Sequence, residues 1–453
     1  MAAMGIDGLV SGLNTTDLIN QLMQVESAPQ TALKTKQTSA TNLVTALQSL
    51  NTKVSSLFDA ATKAATATSW SATKATASVT SVSATTTTGA QPTELSFTVD
   101  SLASSQISLT RPTDLASLTG TGKITIKAKD GTLTEVAVGA DAAATARAIS
   151  SSKAGVSAVA VKVGTDGTRL QLTGTASGED HAFTVYVGSA AEVTAGTATQ
   201  LGLDDTRTAS DAKITLWPQA GAGVAKQVSS SSNTFSDVLA NTSITVSKVE
   251  TDPVTLTVKR DDAALQSLAS GVVGSLGVVL SEITSRTAST TSTSDDGRTV
   301  VSGGLFSGES SVRELQQQLQ SAASYPVDGV SPSTVGFVVG KDGTFTFDQA
   351  KFTEALAADP DKVQKVVSGL AKRVADVASN ASDKVDGTLT LQITGQQQMV
   401  KDLGAQIDNW DLRLAQRREG LQATYSALEV TLSNLQSQSS WLAGQLGSLP
   451  KSS

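Results

Sequence analysis

The chain has 453 residues, of which 39% are apolar, 4% aromatic and 17% charged, with a formal net charge of −7 and no cysteine. The apolar share allows real but thin cores of Val, Leu, Ile and Ala. An acidic balance without any basic block excludes a nucleic-acid binder, and the missing thiols exclude disulfides, thiolate catalysis and Cys-based zinc sites.

Taken in chain order, residues 1–35 read as a terminal segment. No apolar signal-type core precedes Lys34, the first cation, so the expected export route is one that cuts no N-terminal signal. Asn14 or Thr15 is placed to cap a helix, with Asp17 in its positive first turn. Ile19, Leu22 and Val25 then share a face, with Leu18 beside them, and Pro29 interrupts the pattern. Starting at Leu33 and continuing through the stem segment 36–71, a seven-residue column (Leu33, Ala40, Leu47, Val54, Ala61) runs beside a second one (Leu43, Leu50, Leu57). Two apolar columns at that period predict one half of a coiled-coil stem.

At 72–118 the period changes to two, rich in Thr and Val, which predicts strands of a β domain. Residues 119–224 predict a self-contained α+β insert of β-β-α-β-β order, with hairpin turns at Asp130-Gly131 and Asp166-Gly167, where glycine accepts the positive φ. Residues 225–262 return to strands, expected to share a sheet with the first set. From 263 to 446 the helical period is back. Residues 263–281 are uncharged but too rich in Ser, Gly and Gln for a membrane span, so no membrane insertion is expected. The stretch SRTASTTSTSDDGRTV reads as a loop, and VGFVVGKDGTFTFD as a hairpin turning at Asp342-Gly343. Asp359 and Pro360 open a helix striped by Val363, Val366, Leu370, Val374 and Val377. A final helix runs from about 392 to 446, followed by a tail at 447–453.

That last helix carries the most informative column: Val400, Ile407, Leu414, Leu421, Leu428, Leu435, Leu442 and Leu449. Its companion column holds Leu403 and Trp410, then turns polar at Arg417, Thr424 and Thr431. The first part fits packing against Leu43, Leu47, Leu50, Val54 and Leu57. The end, with Leu435, Trp441, Leu442, Leu446 and Leu449 among flexible polar residues, reads with Leu18, Ile19, Leu22 and Val25 as a surface that docks on partner helices. The fold class expected is therefore α+β and multidomain: an elongated coiled-coil stem from both termini, with two β-rich head domains nested in the chain.

Little chemistry is available. His181 is the sole histidine, and no nucleophile elbow or metal constellation accompanies it. GFVVGKDG fails as a phosphate loop, being one residue short with an Asp where the Mg²⁺-binding hydroxyl belongs. Asp204-Asp205 and Asp261-Asp262 read as solvated loop residues. The expectation is a non-enzyme without cofactor or metal.

The opening GIDGLVSGLNTTDLINQLMQVESAP, the strands FSDVLANTSITV and DPVTLTVKRD, the segments GGLFSGESSVRELQQQL and VGFVVGKDGTFTFDQAKFTEALAADPDKVQKVV, and the closing YSALEVTLSNLQSQSSWLAGQL together resemble the flagellar filament-capping family, also called flagellar hook-associated protein 2. Asn14, where the family leads one to expect Asp, and Phe345, where it leads one to expect Leu, are mild departures. Within the insert, residues 140–180 are similar to a module of flagellins. The resemblance implies a homo-oligomeric ring of roughly four to six subunits at the distal tip of the flagellum, outside the cell. Such a ring retains exported flagellin and promotes its folding and insertion. The implied partners are flagellin, the hook–filament junction protein and a cytoplasmic export chaperone, with Leu428 to Leu449 as the chaperone segment. Export would follow the flagellar type III route. A flagellin-type filament subunit and a surface adhesin remain open alternatives, adhesion also being a possible added role of a cap.

Overall fold

The computed structural model describes residues 14–111, 122–164, 167–221 and 223–447. Its contacts divide the chain into two compact units, 1–66 with 266–453, and 67–265. The first unit opens with α1 (Thr15–Glu26) and α2 (Ala28–Ala65). The second holds β1 (Thr73–Ala77), β2 (Val82–Thr86), β3 (Thr93–Ser101), β4 (Ile107–Thr110), β5 (Lys123–Ala128), β6 (Leu133–Ala137), α3 (Ala142–Ser151), β7 (Val156–Lys162), β8 (Thr168–Gly174), β9 (Phe183–Val187), α4 (Ala190–Ala195), β10 (Thr199–Gln200), β11 (Leu203–Arg207), β12 (Ala212–Leu216), β13 (Lys226–Ser230), β14 (Thr234–Leu239), β15 (Thr242–Val246) and β16 (Glu250–Arg260). Helix α5 (Asp262–Thr287) leads back to the first unit, followed by β17 (Thr290–Thr293), β18 (Thr299–Ser302), α6 (Ser310–Ser324), β19 (Phe337–Val339), β20 (Phe345–Phe347), α7 (Gln349–Ala358), α8 (Pro360–Ser382) and α9 (Thr388–Gly447).

Local chemistry explains the helix starts. The Asn14 side chain accepts the Asp17 N–H, Asp348 accepts that of Lys351, and Asp359 accepts that of Lys362 with Pro360 in the first turn. Each cap satisfies a donor that the helix leaves unpaired. Pro29 likewise falls in the first turn of α2, where no N–H is needed, so the interruption expected there marks a helix start.

In the helical unit, α2 packs on α8 and α9. Leu47, Leu50, Val54, Leu57 and Ala61 are completely buried, as are Val367, Leu370, Ala371, Val374 and Ala378 of α8. Each large aliphatic side chain so buried contributes about 1.5–3 kcal/mol. Helix α6 adds Val312, Leu315 and Leu319 to the same core. Helix α5 is long and apolar enough to cross a membrane by length and composition, but it turns Val272, Leu276, Val279 and Ile283 inward. The segment read as a loop after α5 is instead the hairpin β17–β18, turning at Asp296-Gly297, with every strand residue exposed.

One ion cluster ties α2 to α5. Glu282, whose side chain is only 13% exposed, meets Lys53 at 2.6 Å and Arg286 at 2.5 Å. The Lys53 hydrogen bond, with help from Arg286, holds the Glu282 carboxyl below its ordinary range against the opposing pull of burial. A carboxyl depressed in the folded state contributes stability that is present above the unfolded value and lost as pH falls through the range between that value and the lowered folded one. Glu282→Gln therefore destabilises the helical unit by about 1–3 kcal/mol at neutral pH. In thermal melts, the gap from the unaltered protein closes as pH drops below that range.

The second unit contains two separate cores. A five-stranded sheet of order β1-β16-β3-β12-β13 faces a three-stranded sheet of order β14-β15-β2 across Phe97, Val99, Ile214, Leu256, Phe235 and Ile244. The strands on either side of the insert thus share one sheet, as expected. The insert is built of two four-stranded sheets, β10-β9-β5-β6 and β11-β4-β8-β7, with Ile124, Ile126, Ile149, Leu170, Leu172 and Phe183 in its core. Strand β4 thus belongs to the insert's sheet, while Asp166 of the second hairpin turn lies outside the described residues. The insert is an excursion between β3 and β12, which are hydrogen-bonded neighbours in the five-stranded sheet.

Asp204 and Asp205 are not loop residues. They lie on β11, where Asp204 meets Arg111 at 3.1 Å and Asp205 accepts the hydroxyl of buried Ser108 at 2.5 Å.

Candidate assembly surfaces

Helix α9 is a single 60-residue helix, about 90 Å long at 1.5 Å per residue. Three zones follow one another along its seven-residue column. In the first, Leu389, Ile393 and Ile407 are buried, while Val400, Leu403 and Trp410 are half-buried. This zone packs on α2, where Leu43 is half-buried beside the fully buried Leu47. Gln37 Nε2 donates to the Val400 carbonyl at 3.3 Å and Gln30 Nε2 to Asp411 Oδ1 at 2.5 Å. The Arg413 guanidinium lies 4.0 Å over the Trp410 ring, a cation–π contact.

The second zone meets α1. Ile19 and Met23 are buried, and Asn20, Met23, Gln24 and Ser27 line a shallow groove of about 450 Å³ with Leu414, Ala415 and Arg418. Arg417 pairs with Glu26 at 3.2 Å, and Arg418 donates to Asn20 Oδ1 at 2.6 Å. Arg417, the first polar residue to interrupt the companion column, is therefore a partner of α1. Met23, Arg417 and Arg418 carry this contact and were missed in the sequence, because periodicity scores apolar columns and passes over long side chains that reach across.

In the third zone no column residue is fully buried among the described residues. No described residue of α9 beyond Ile407 is fully buried. Leu421 is half-buried, whereas Leu428 is 44% exposed, Leu435 55%, Trp441 65% and Leu442 55%. Leu412 and Val430 are exposed as well. On α1, Leu18, Leu22 and Val25 face solvent while Ile19 turns inward. Of the remaining sequence-selected residues, Leu446 falls in α9 with no side chain described, and Leu449 lies outside the described residues. Large apolar side chains in a spaced row on an exposed helix are the signature of an interaction surface.

No group of three or more His, Asp or Glu side chains suited to a metal occurs among the described residues, and His181 sits exposed in a short turn. Asp130 and Asp342 have lowered carboxyl pKa values because each accepts hydrogen bonds from within its own turn, at Thr132 and Thr344. The hydrogen bonds behind these shifts hold the two turns in shape.

Two family models match the sequence of this chain. The flagellar hook-associated protein 2 C-terminus matches residues 209–437, just over half of the chain, and the N-terminus of the same family matches 11–106. The chain belongs to the flagellar hook-associated protein 2 family. Similar proteins include the flagellar hook-associated protein 2 of Escherichia coli K12, 27% identical over 478 residues and covering 98% of each chain. Another is the B-type flagellar hook-associated protein 2 of Pseudomonas aeruginosa, 28% identical over 475 residues with the same coverage. Among solved structures, the D1-D2-D3 domains of the flagellar cap protein FliD from Escherichia coli superpose with a TM-score of 0.60 at 24% identity, covering 78% of this chain and 99% of that one. That likeness is one of fold, with a helical part from both chain ends and β-rich parts between them. The two matched spans leave 107–208 uncovered, which is almost the whole insert.

Proposed function

We propose that this protein is a flagellar filament cap, a homo-oligomer at the distal tip that retains exported flagellin and promotes its folding and insertion. The work is steric and mechanical, and no enzyme chemistry is involved. The observation that carries the reading is the uncovered row Leu428, Leu435, Trp441 and Leu442 on the far part of α9, in a chain whose relatives are named hook-associated and cap proteins. A row of this kind serves a subunit whose helical end docks among the helices of other proteins. We assign flagellin and the hook–filament junction protein as its partners outside the cell, and an export chaperone as its partner before secretion. We also assign export through the flagellar type III route. We assign several copies in a closed ring, the arrangement that suits a single filament end, with roughly four to six subunits as the family resemblance implies.

A flagellin-type filament subunit would use the same row for open-ended polymerisation. Location separates the two readings: immunogold against residues 123–207 marks one point per flagellum for a cap and the whole shaft for a filament subunit. A surface adhesin would leave the flagella unlabelled.

A further inference from the structure

The insert and the β domain of the second unit share no core. Their hydrophobic clusters have no residue in common, and two chain segments join them, 102–106 going out and 208–211 coming back. Each end of this waist is anchored. At the β-domain end the Ala103 N–H donates to Asn233 Oδ1 at 2.7 Å. At the insert end the buried Gln106 donates to the Phe183 carbonyl at 3.1 Å and accepts the Phe183 N–H at 2.9 Å. Between the anchors, Ser104 and Ser210 pair as an isolated antiparallel bridge, with hydroxyls 2.9 Å apart.

A third element crosses beside the waist, the loop 175–181 between β8 and β9. The Ser177 hydroxyl donates to the Ser231 carbonyl at 2.8 Å, the Glu179 N–H to Asp211 Oδ1 at 2.8 Å, and the Gly178 N–H to the Ser104 carbonyl at 3.2 Å. Gly178 has φ of 104° and lies so close to Ser231 that a Cβ added there would sit 2.6 Å from the Ser231 Cβ. Only glycine permits both that backbone and that approach.

We propose that Ser104–Ser105 and Thr208–Ser210 are a hinge between insert and β domain, and that the loop 175–181 is its latch. The physical ground is the kind of contact at this junction. Domains that share no apolar core reorient by default, and here the insert is held in place by hydrogen bonds between small polar groups. Each such bond is worth little net, since water replaces it on opening. The two cores, closed separately, stay intact while the waist bends, as in hinge motions carried by a few residues between rigid bodies.

Because the chain has no cysteine, two introduced ones are labelled cleanly. Val159→Cys on the insert and Val249→Cys on the β domain replace exposed valines, and spin labels there report the distance between the two bodies by pulsed dipolar spectroscopy on the purified full chain. The latched protein gives one narrow distance. Gly178→Val, which must push Ser231 away, adds a second population. Ser177→Ala with Asp211→Ala, which leaves the backbone undisturbed, raises that population about fivefold for each hydrogen bond lost. Thermal melts of the double variant stay close to those of the parent, since neither core is touched. A broad distribution in the latched protein, or an unchanged distance in variants that melt normally, overturns the proposal. Should Gly178→Val fail to fold, the double alanine variant decides alone. The experiment uses isolated protein, so its outcome is independent of the cap reading.

Discussion

A chain ending at Ala427 folds its helical unit normally and is lost from the flagellar tip. The large apolar residues removed, from Leu428 onwards, are mostly exposed: Leu428, Val430, Leu435, Trp441 and Leu442 each show more than two-fifths of their surface. Removing side chains that are already in water forfeits little burial, so the melting temperature of the helical unit stays close to that of the full chain. The same side chains are what docking on a partner helix would bury. Within that row Trp441 should weigh most, because a large aromatic at a packed interface centre commonly costs 2 kcal/mol or more on truncation, or about 30-fold in affinity. Trp441→Ala alone should then reduce tip occupancy measurably, with circular dichroism melts unchanged. A truncated chain that melts early would show that this part of the helix packs within the protein.

The second large effect has the opposite sign pattern. Leu50→Ala destabilises the helical unit by about 2–5 kcal/mol, because the fully buried Leu50 leaves a cavity that packed helices do not refill. For a unit of this size the melting temperature falls by roughly 5–15 °C. Leu428→Ala, on the same kind of seven-residue column, changes the stability of the unit by less than about 0.5 kcal/mol. Parallel thermal melts of the two variants measure the contrast. Equal losses would mean that the far part of α9 is buried in solution as deeply as the near part.

These two leucines show how far the sequence can be read. The columns through Leu47, Leu50, Val54 and Leu57 and through Val400, Ile407 and Leu414 are legible because apolar side chains three to four apart must lie on one helix face. Their partners follow from economy, since neither seam can bury itself. What the pattern does not contain is where along the column the intramolecular partner ends. Ile407 is buried and Leu428 is not, yet both occupy the same heptad position. The hairpin at 290–302 escaped because its strands are exposed on both faces, which removes the alternation by which strands are recognised. Asp205 escaped for a related reason: a pair of adjacent acids reads as solvated, but a strand sends neighbours to opposite faces. Here that places Asp204 beside Arg111 and Asp205 on the buried Ser108.

The central claim is position at the growing end. Flagella from the source cells are labelled with gold-conjugated antibody against residues 123–207 and viewed by electron microscopy. The cap reading predicts gold at a single spot on the distal tip of each filament, with the shaft bare. Gold along the whole shaft, or confined to the cell body with flagella unlabelled, contradicts it.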